Sequence, residues 1–434
     1  MDQLYDFGVM SNTTFFWIST IRMLVAFLVV LVTVAMLTLA ERRVAAFIQD
    51  RLGPNRVGPY GLLQPIADGL KNFIKEETLP EEASRFYFIL APIFSLGPAF
   101  VLFAVIPWAA PLPTPWGLVD MIVADVSMGI LFILAFSSLG VYGSFLAGWS
   151  SNNKYSFLGG LRASAQMVSY EVALGMSLIP IFMIVGNVTI TDMVWYQQEG
   201  LGWWFAFPLG LAFFLFVISS FAETNRLPFD MPEAESELVA GYHAEYSSMK
   251  FSMFMMGEYA HLVTVSALMA TLFLGGWDIP FTNWDDMRVV SEGVVMGAEP
   301  SVWKTLATFV SFAVKTLFFV FVFIWVRWTV PRFRYDQIMD LGWKGLLPTS
   351  LAYIMLMGAT ILVLDTVGME YGFLYGLVLT GVNLVATVAF LWLLDSDRVI
   401  RGGSAKRPGP VDRREMGAVL EEKVTEPAAE TAGL

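Results

Sequence analysis

Six carboxylates, Glu223, Asp230, Glu233, Glu235, Glu237 and Glu245, crowd a short connection between two long apolar runs, with Arg226 as the only fixed cation among them. Carboxylates beside hydrocarbon are costly unless they pair, neutralise or meet water, so such a concentration points to function. Local signals read as a short helix. Asp230 can cap its start, Pro232 suits the first turn, and Glu233 completes a capping-box pattern. Gly241 is the expected stop. Glu233 and Glu237 then share a face, while Glu235 points elsewhere. The result is a dense acidic corner at a membrane boundary.

Further titratable groups lie inside apolar runs: Glu171 beside Gln166, Ser169 and Tyr170, then Glu258 and His261 one turn apart with Tyr259, then Lys315. Taken singly, each reads equally well as half of a buried pair that fixes helix registry. Lys315 also fits a neutral or snorkelling side chain. Glu171, Glu223 and Glu258 belong to three different runs, and their convergence in one bundle would make a hydrated proton relay.

The elements that must position these groups are helices across a bilayer. The chain has 434 residues, 56% of them hydrophobic. Nine apolar runs reach the roughly 18–20 residues that a crossing needs, at 15–40, 86–107, 121–149, 164–186, 203–222, 253–275, 303–326, 347–367 and 372–394. The fold expected is all-α and polytopic, with residues 1–395 as the membrane domain. The first run lacks the basic start and small-residue site of a removable signal. Residues 62–75 are apolar at 62, 63, 66, 70, 73 and 74, and polar between, which predicts an amphipathic helix lying in the interface. A lid that merely seals the bundle is an equal reading of it. From 396 the chain turns polar, and 396–434 is expected to be a disordered cytoplasmic tail.

Of 26 Lys and Arg, 22 fall in the segments 41–85, 150–163, 223–252, 327–346 and 395–434. The positive-inside rule puts those segments and the C-terminus in the cytoplasm and the N-terminus outside. A net charge of −12 argues against nucleic-acid binding. With no Cys and only His243 and His261, the chain offers no thiolate ligands for an iron–sulfur cluster and no disulfide. No metal site is expected. Neither nucleotide-binding glycine motif is present. Any redox carriers must therefore reside on other chains.

Two stretches carry a resemblance. The first runs from Glu41-Arg42-Arg43 through Gln49-Asp50-Arg51-Leu52-Gly53-Pro54-Asn55-Arg56-Val57-Gly58-Pro59 to Gly61. The second runs from Pro228-Phe229-Asp230-Met231-Pro232-Glu233 through Gly241-Tyr242-His243 to Tyr246. With Gly148–Tyr155, Ser169-Tyr170-Glu171 and Pro331–Gln337, they resemble the H subunits of respiratory complex I, the proton-pumping NADH:quinone oxidoreductase, over roughly 15–395. The resemblance implies a subunit of the bacterial inner membrane at the junction with the peripheral arm, where it lines a chamber for the headgroup of a quinone, ubiquinone or menaquinone alike. FMN and iron–sulfur clusters would sit only on partner subunits of the complex. Glu41, Arg42, Arg51, Asp230, Glu233, Glu235 and Glu237 match the family's chamber residues, and Glu171, Glu223 and Glu258 match its proton relay. Residues 126–149 hold no acid, so water or Ser137 and Ser138 would serve where some relatives carry one. Two other readings stay open: a freestanding transporter, which would run alone after solubilisation, and the membrane anchor of a related hydrogenase or dehydrogenase, which neighbouring genes would reveal.

Overall fold

The computed structural model describes residues 4–7, 10–200, 202–232, 239–280, 282–291 and 294–395. Among them the molecule is overwhelmingly helical. Eight helices are long and apolar enough to cross a membrane. They are α1 (Asn12–Ile48), α3 (Arg85–Leu102, extended by a 3-10 turn to Val105), α4 (Gly129–Ser150), α5 (Lys154–Val185), α8 (Ser248–Phe273), α9 (Val302–Thr329), α11 (Leu347–Val367, joined through a π turn to the short α10, Tyr335–Asp340) and α12 (Phe373–Asp395). Shorter helices are α2 (Gln64–Ile74), α6 (Ile190–Trp195) and α7 (Gly210–Glu223). Polar caps set several starts: Ser11 accepts from Thr14 N at 3.3 Å and Asn153 from Tyr155 N at 2.9 Å.

The crossing expected at 203–222 differs from the others. Its helix, α7, has 14 residues, which at 1.5 Å each is too short for a roughly 30 Å core. Asn383 of α12 holds its start: Oδ1 accepts from Leu211 N at 2.8 Å while Nδ2 donates to Phe207 O at 3.3 Å. Gln197 accepts from Phe205 N and Gly275 N in the irregular stretch that precedes it. Side-chain amides thus replace the missing helical bonds. The third run also starts later than expected, at 129, because the guanidinium of Arg22 takes the carbonyls of Asp120 and Val123 and fixes a non-helical segment there.

The most buried of the long helices is α8, which packs against α3 and α9, while α4 lies between α3 and α5. Small residues make the tightest approach. A Cβ at Gly148 of α4 would lie 2.5 Å from the Ser156 carbonyl oxygen of α5. Two small sheets complete the fold. One pairs β2 (Leu112–Thr114) with β3 (Gly117–Val119), and the other sets β1 (Leu4–Asp6), β5 (Val294–Gly297) and β4 (Met287–Ser291) side by side in that order, all antiparallel. The expected tail 396–434 lies outside the described residues. So do 233–238 and hence most of the acidic helix expected there; Gly241, its expected stop, takes φ +60° at the start of a 3-10 turn, Gly241–His243.

Candidate functional site

Glu41, near the end of α1, is the hub of a buried charge cluster. It is 6% exposed. Tyr259 of α8 donates to its Oε2 at 2.7 Å, Arg226 lies 3.5 Å from the same oxygen, and Arg327 of α9 pairs with Oε1. The Arg226 guanidinium also stacks over the Tyr259 ring, 4.3 Å from its centroid. Four separate segments therefore meet on one carboxylate. Breaking such a pair from one side costs about 3–5 kcal/mol, because the remaining ions stay desolvated.

The connection that begins at Thr224 is held against α5. Gln166, fully buried, donates to Ala222 O at 2.8 Å and Phe229 O at 2.7 Å, bridging the two sides of the turn. Asp230 pairs with Arg332 at 2.7 Å, and Phe333 N donates to Pro228 O at 3.2 Å, which brings the 331–337 segment over the loop. Tyr170 donates to Ile338 O at 2.8 Å and anchors α10 from the same helix. Polar groups buried this deep must be satisfied, so these bonds fix where the loop can sit.

Helix α2 is amphipathic as expected and has no fully buried residue. Ile66, Leu70, Phe73 and Ile74 are each more than half exposed. Its C-terminal end docks on α8, where Ser248 donates to Asn72 O at 2.8 Å and Lys75 O at 2.9 Å. Between α1, α2 and α8 lies a mostly apolar groove of about 430 Å³ that Val34, Phe73, Met255 and Met256 line. Arg42, paired with Asp68 at 2.6 Å, stands at one wall, and Tyr259 closes another part of it.

A second, smaller cavity of about 40 Å³ lies between α3, α4, α5, α7 and α8. A buried water needs roughly 10–15 Å³ and several polar partners, so this space suits water. Glu223, Glu258, His261, Ser95, Ser137 and Ser144 line it. His261 Nε2 lies 3.4 Å from Glu223 Oε1, and Tyr242 donates to Glu258 Oε1 at 2.9 Å. Glu171 stands outside the lining but close enough for its charge to interact with Glu223 and His261.

The expected site residues fall into groups. Glu223 and Glu258 share the small cavity, with Glu171 beside it. Glu41 is the hub, Arg42 flanks the groove, and Asp230 reaches Arg332 rather than Glu41. Arg51 is exposed and donates to Gln49 Oε1 at 2.8 Å. Glu233, Glu235 and Glu237 lie outside the described residues. Sequence reasoning noted Tyr259, His261 and Arg226, and Arg332 within Pro331–Gln337, without assigning them to the site, and did not place Arg327 there either. The signal available was their spacing at those ends of the same runs near which Lys and Arg gather. Of the substitutes considered in span three, Ser137 lines the cavity and Ser138 does not.

Away from this region, Lys315 is buried and donates to the carbonyls of Leu274, Gly276 and Asp278, at 2.5, 3.1 and 2.6 Å. It thereby satisfies carbonyls at the buried C-terminal end of α8 and just beyond it. Asp278, Asp285 and Asp286 gather beside it, with oxygens within 4.8 Å of one another. Burial, together with Asp278, Asp285 and Glu199, pushes the Asp286 carboxyl up to about 7.

The family model described as NADH dehydrogenase matches residues 21–358. The chain is 45% identical to an H subunit (form 1) of NADH-quinone oxidoreductase from Cytophaga hutchinsonii over 343 residues, covering 79% of this chain and 96% of that one. It is 48% identical to the corresponding H subunit of Magnetococcus marinus over 336 residues, 77% of this chain and 89% of the relative. It is likewise 48% identical to NADH-quinone oxidoreductase subunit 8 of Rhodothermus marinus over 344 residues, 77% and 95% of the two chains. The match covers the helices that carry the Glu41 hub, the groove and the acid-lined cavity, and the chain therefore belongs to the NADH dehydrogenase family, among the H-type membrane subunits of NADH-quinone oxidoreductase.

Proposed function

We propose that this subunit forms part of the quinone site of the oxidoreductase and couples quinone reduction to proton translocation. The observation that carries the reading is the groove of about 430 Å³ between α1, α2 and α8, apolar along most of its wall and ending against Tyr259 of the Glu41 hub. An isoprenoid tail suits such a wall, and a headgroup suits the polar end. Met255 and Met256 supply adaptable apolar contact along the tail. Quinone reduction consumes two protons per two electrons. Demand at the headgroup end changes the charge felt by nearby carboxylates, which respond as a coupled group. Glu223, His261 and Glu258 around a water-sized cavity, with Glu171 alongside, would move that charge inward as proton shifts.

The acids Glu233, Glu235 and Glu237 would complete the chamber, facing partner subunits that carry the iron–sulfur clusters and FMN. The Lys and Arg distribution supports a cytoplasmic C-terminus and an N-terminus outside. The test compares Met255→Trp with wild type in inverted membrane vesicles. A ring filling the groove is expected to raise the KM for a long-tailed quinone several-fold, spare a short-tailed analogue, and leave NADH oxidation by an artificial acceptor intact. Equal kinetics with both quinones would overturn the groove reading. For coupling, Glu223→Gln should lower the proton-to-electron ratio, and an unchanged ratio would remove that acid from the relay.

A further inference from the structure

Toward the other end of α1 from the Glu41 hub lies a further cavity, of about 290 Å³, that the quinone reading does not use. It lies between the segment 107–125, α6 and β4. Pro107, Ala109 and Pro111 face it, while Trp108 between them lines a different, apolar groove. Its size approaches that of small-molecule sites, about 300–1,000 Å³.

Its charge is unbalanced. Asp120, Asp125 and Asp192 line it with one cation, Arg288. Arg288 is committed to Asp192 at 2.8 Å, and Asn187 holds the other oxygen of Asp192 at 2.6 Å. That leaves Asp120 and Asp125. Asp125 accepts only from Thr191, at 3.2–3.3 Å, among the described residues. The Oδ1 of Asp120 is buried and accepts no hydrogen bond among the described residues; the two terminal nitrogens of Arg22 donate to the carbonyls of Asp120 and Val123 and to Ser19, and its Nε has no acceptor there either. Burial pushes the Asp120 carboxyl above the ordinary range, with Arg22 opposing and Asp125 adding to it.

A second, independent observation comes from another residue of the lining, Trp277. Trp277 is 6% exposed and its indole Nε1 finds no acceptor among the described residues. Trp195 adds another aromatic surface. Two carboxylates beside indole rings favour an organic ammonium, through charge and cation–π attraction together. A hard metal ion would want several oxygens gathered at bonding distance. Among the described residues, the three carboxylates that do approach one another that closely are Asp278, Asp285 and Asp286, outside this cavity.

We infer that this cavity binds a small ligand that pairs an ammonium group, held by Asp120 and Asp125, with an oxygen acceptor for Trp277 Nε1. Ethanolamine has this chemistry, whether free or as a phospholipid headgroup. The inference is independent of the quinone reading, because Asp120 and Asp125 take no part in that machinery.

The test uses the purified whole complex in nanodiscs of phosphatidylglycerol, with radiolabelled ethanolamine in equilibrium dialysis. Saturable binding is expected, weakened by about tenfold or more in Asp120→Asn or Asp125→Asn, the loss that follows from removing a charge-assisted hydrogen bond. Quinone reductase activity should be unchanged in both variants, which confirms that they fold and assemble. Adding phosphatidylethanolamine to the nanodiscs separates the sources: competition identifies a lipid headgroup, and undiminished binding identifies a free amine. No saturable binding, or equal binding in wild type and both variants, would overturn the inference.

Discussion

Gly159 offers a sharp test of how the proposed relay is positioned. It sits on the buried face of α5, where an added Cβ would lie 2.7 Å from Gly241 Cα, 2.8 Å from Gly241 C and 2.9 Å from Tyr242 N. Ordinary contact begins near 3.4 Å, so Gly159→Ala must push the Gly241–His243 turn outward by about 0.7 Å. The neighbour is backbone, so no side chain can rotate away. Tyr242 moves with the turn. Its hydroxyl, 2.9 Å from Glu258 Oε1, would then stand about 3.6 Å away, beyond hydrogen-bond range. Overpacking costs roughly 1–3 kcal/mol and the lost bond to a charged acceptor about 1.5–3. Better helix propensity returns about 1 kcal/mol, for a net loss of about 1.5–5. Gly175→Ala on the same helix is the control, because its Cβ would meet only Leu134 Cδ1, at 3.8 Å. Thermal inactivation of the purified complex should rank Gly159→Ala clearly below wild type and Gly175→Ala level with it or above. Proton pumping per electron should fall only in Gly159→Ala. Equal inactivation and equal pumping for the two variants would refute the argument that this turn is fixed by backbone contact and fixes Glu258.

Glu41→Gln should destabilise the subunit by about 3–5 kcal/mol, because Arg226 and Arg327 lose their shared anion, whereas Tyr259→Phe should cost only about 1.5–3; the yield of assembled complex measures both. Asn383→Leu strands Leu211 N and Phe207 O inside the bundle and should cost about 2–4 kcal/mol, read as a lower midpoint of thermal inactivation. Asp286 gives a pH signature. Its carboxyl is raised to about 7, so the folded state holds a proton that the unfolded state releases near 4. Stability from this group is present at low pH and is lost as pH rises through 7. Asp286→Asn should therefore raise the inactivation midpoint at pH 8 and change it little at pH 4.5, and an equal effect at both values would contradict the assignment.

The class of the protein was legible in the chain alone. Continuous apolar runs long enough to cross a bilayer read as helices, since the other fold that satisfies backbone polar groups there, a closed barrel, uses shorter strands of alternating polarity. The amphipathic period of residues 62–75 likewise predicted a helix there, found at Gln64–Ile74, and the long motifs around Glu41 and Asp230 carried the family. The freestanding transporter reading gives way to that membership. What the sequence left open follows from one limit: it shows which run a residue belongs to, and not which residues of other runs it faces. Glu41, Arg226, Tyr259 and Arg327 are separated by as many as 286 positions and meet only because α1, α8 and α9 pack side by side. The shortness of α7 was hidden for a related reason. Residues 203–222 are apolar throughout, and only the amide of Asn383, arriving from α12, makes it cheap for the chain to leave the helix before Gly210. The convergence of Glu223, His261 and Glu258 on a water-sized space depended on the same packing. Hydropathy reads a run one segment at a time, whereas a site within a bundle is a property of the contacts between segments.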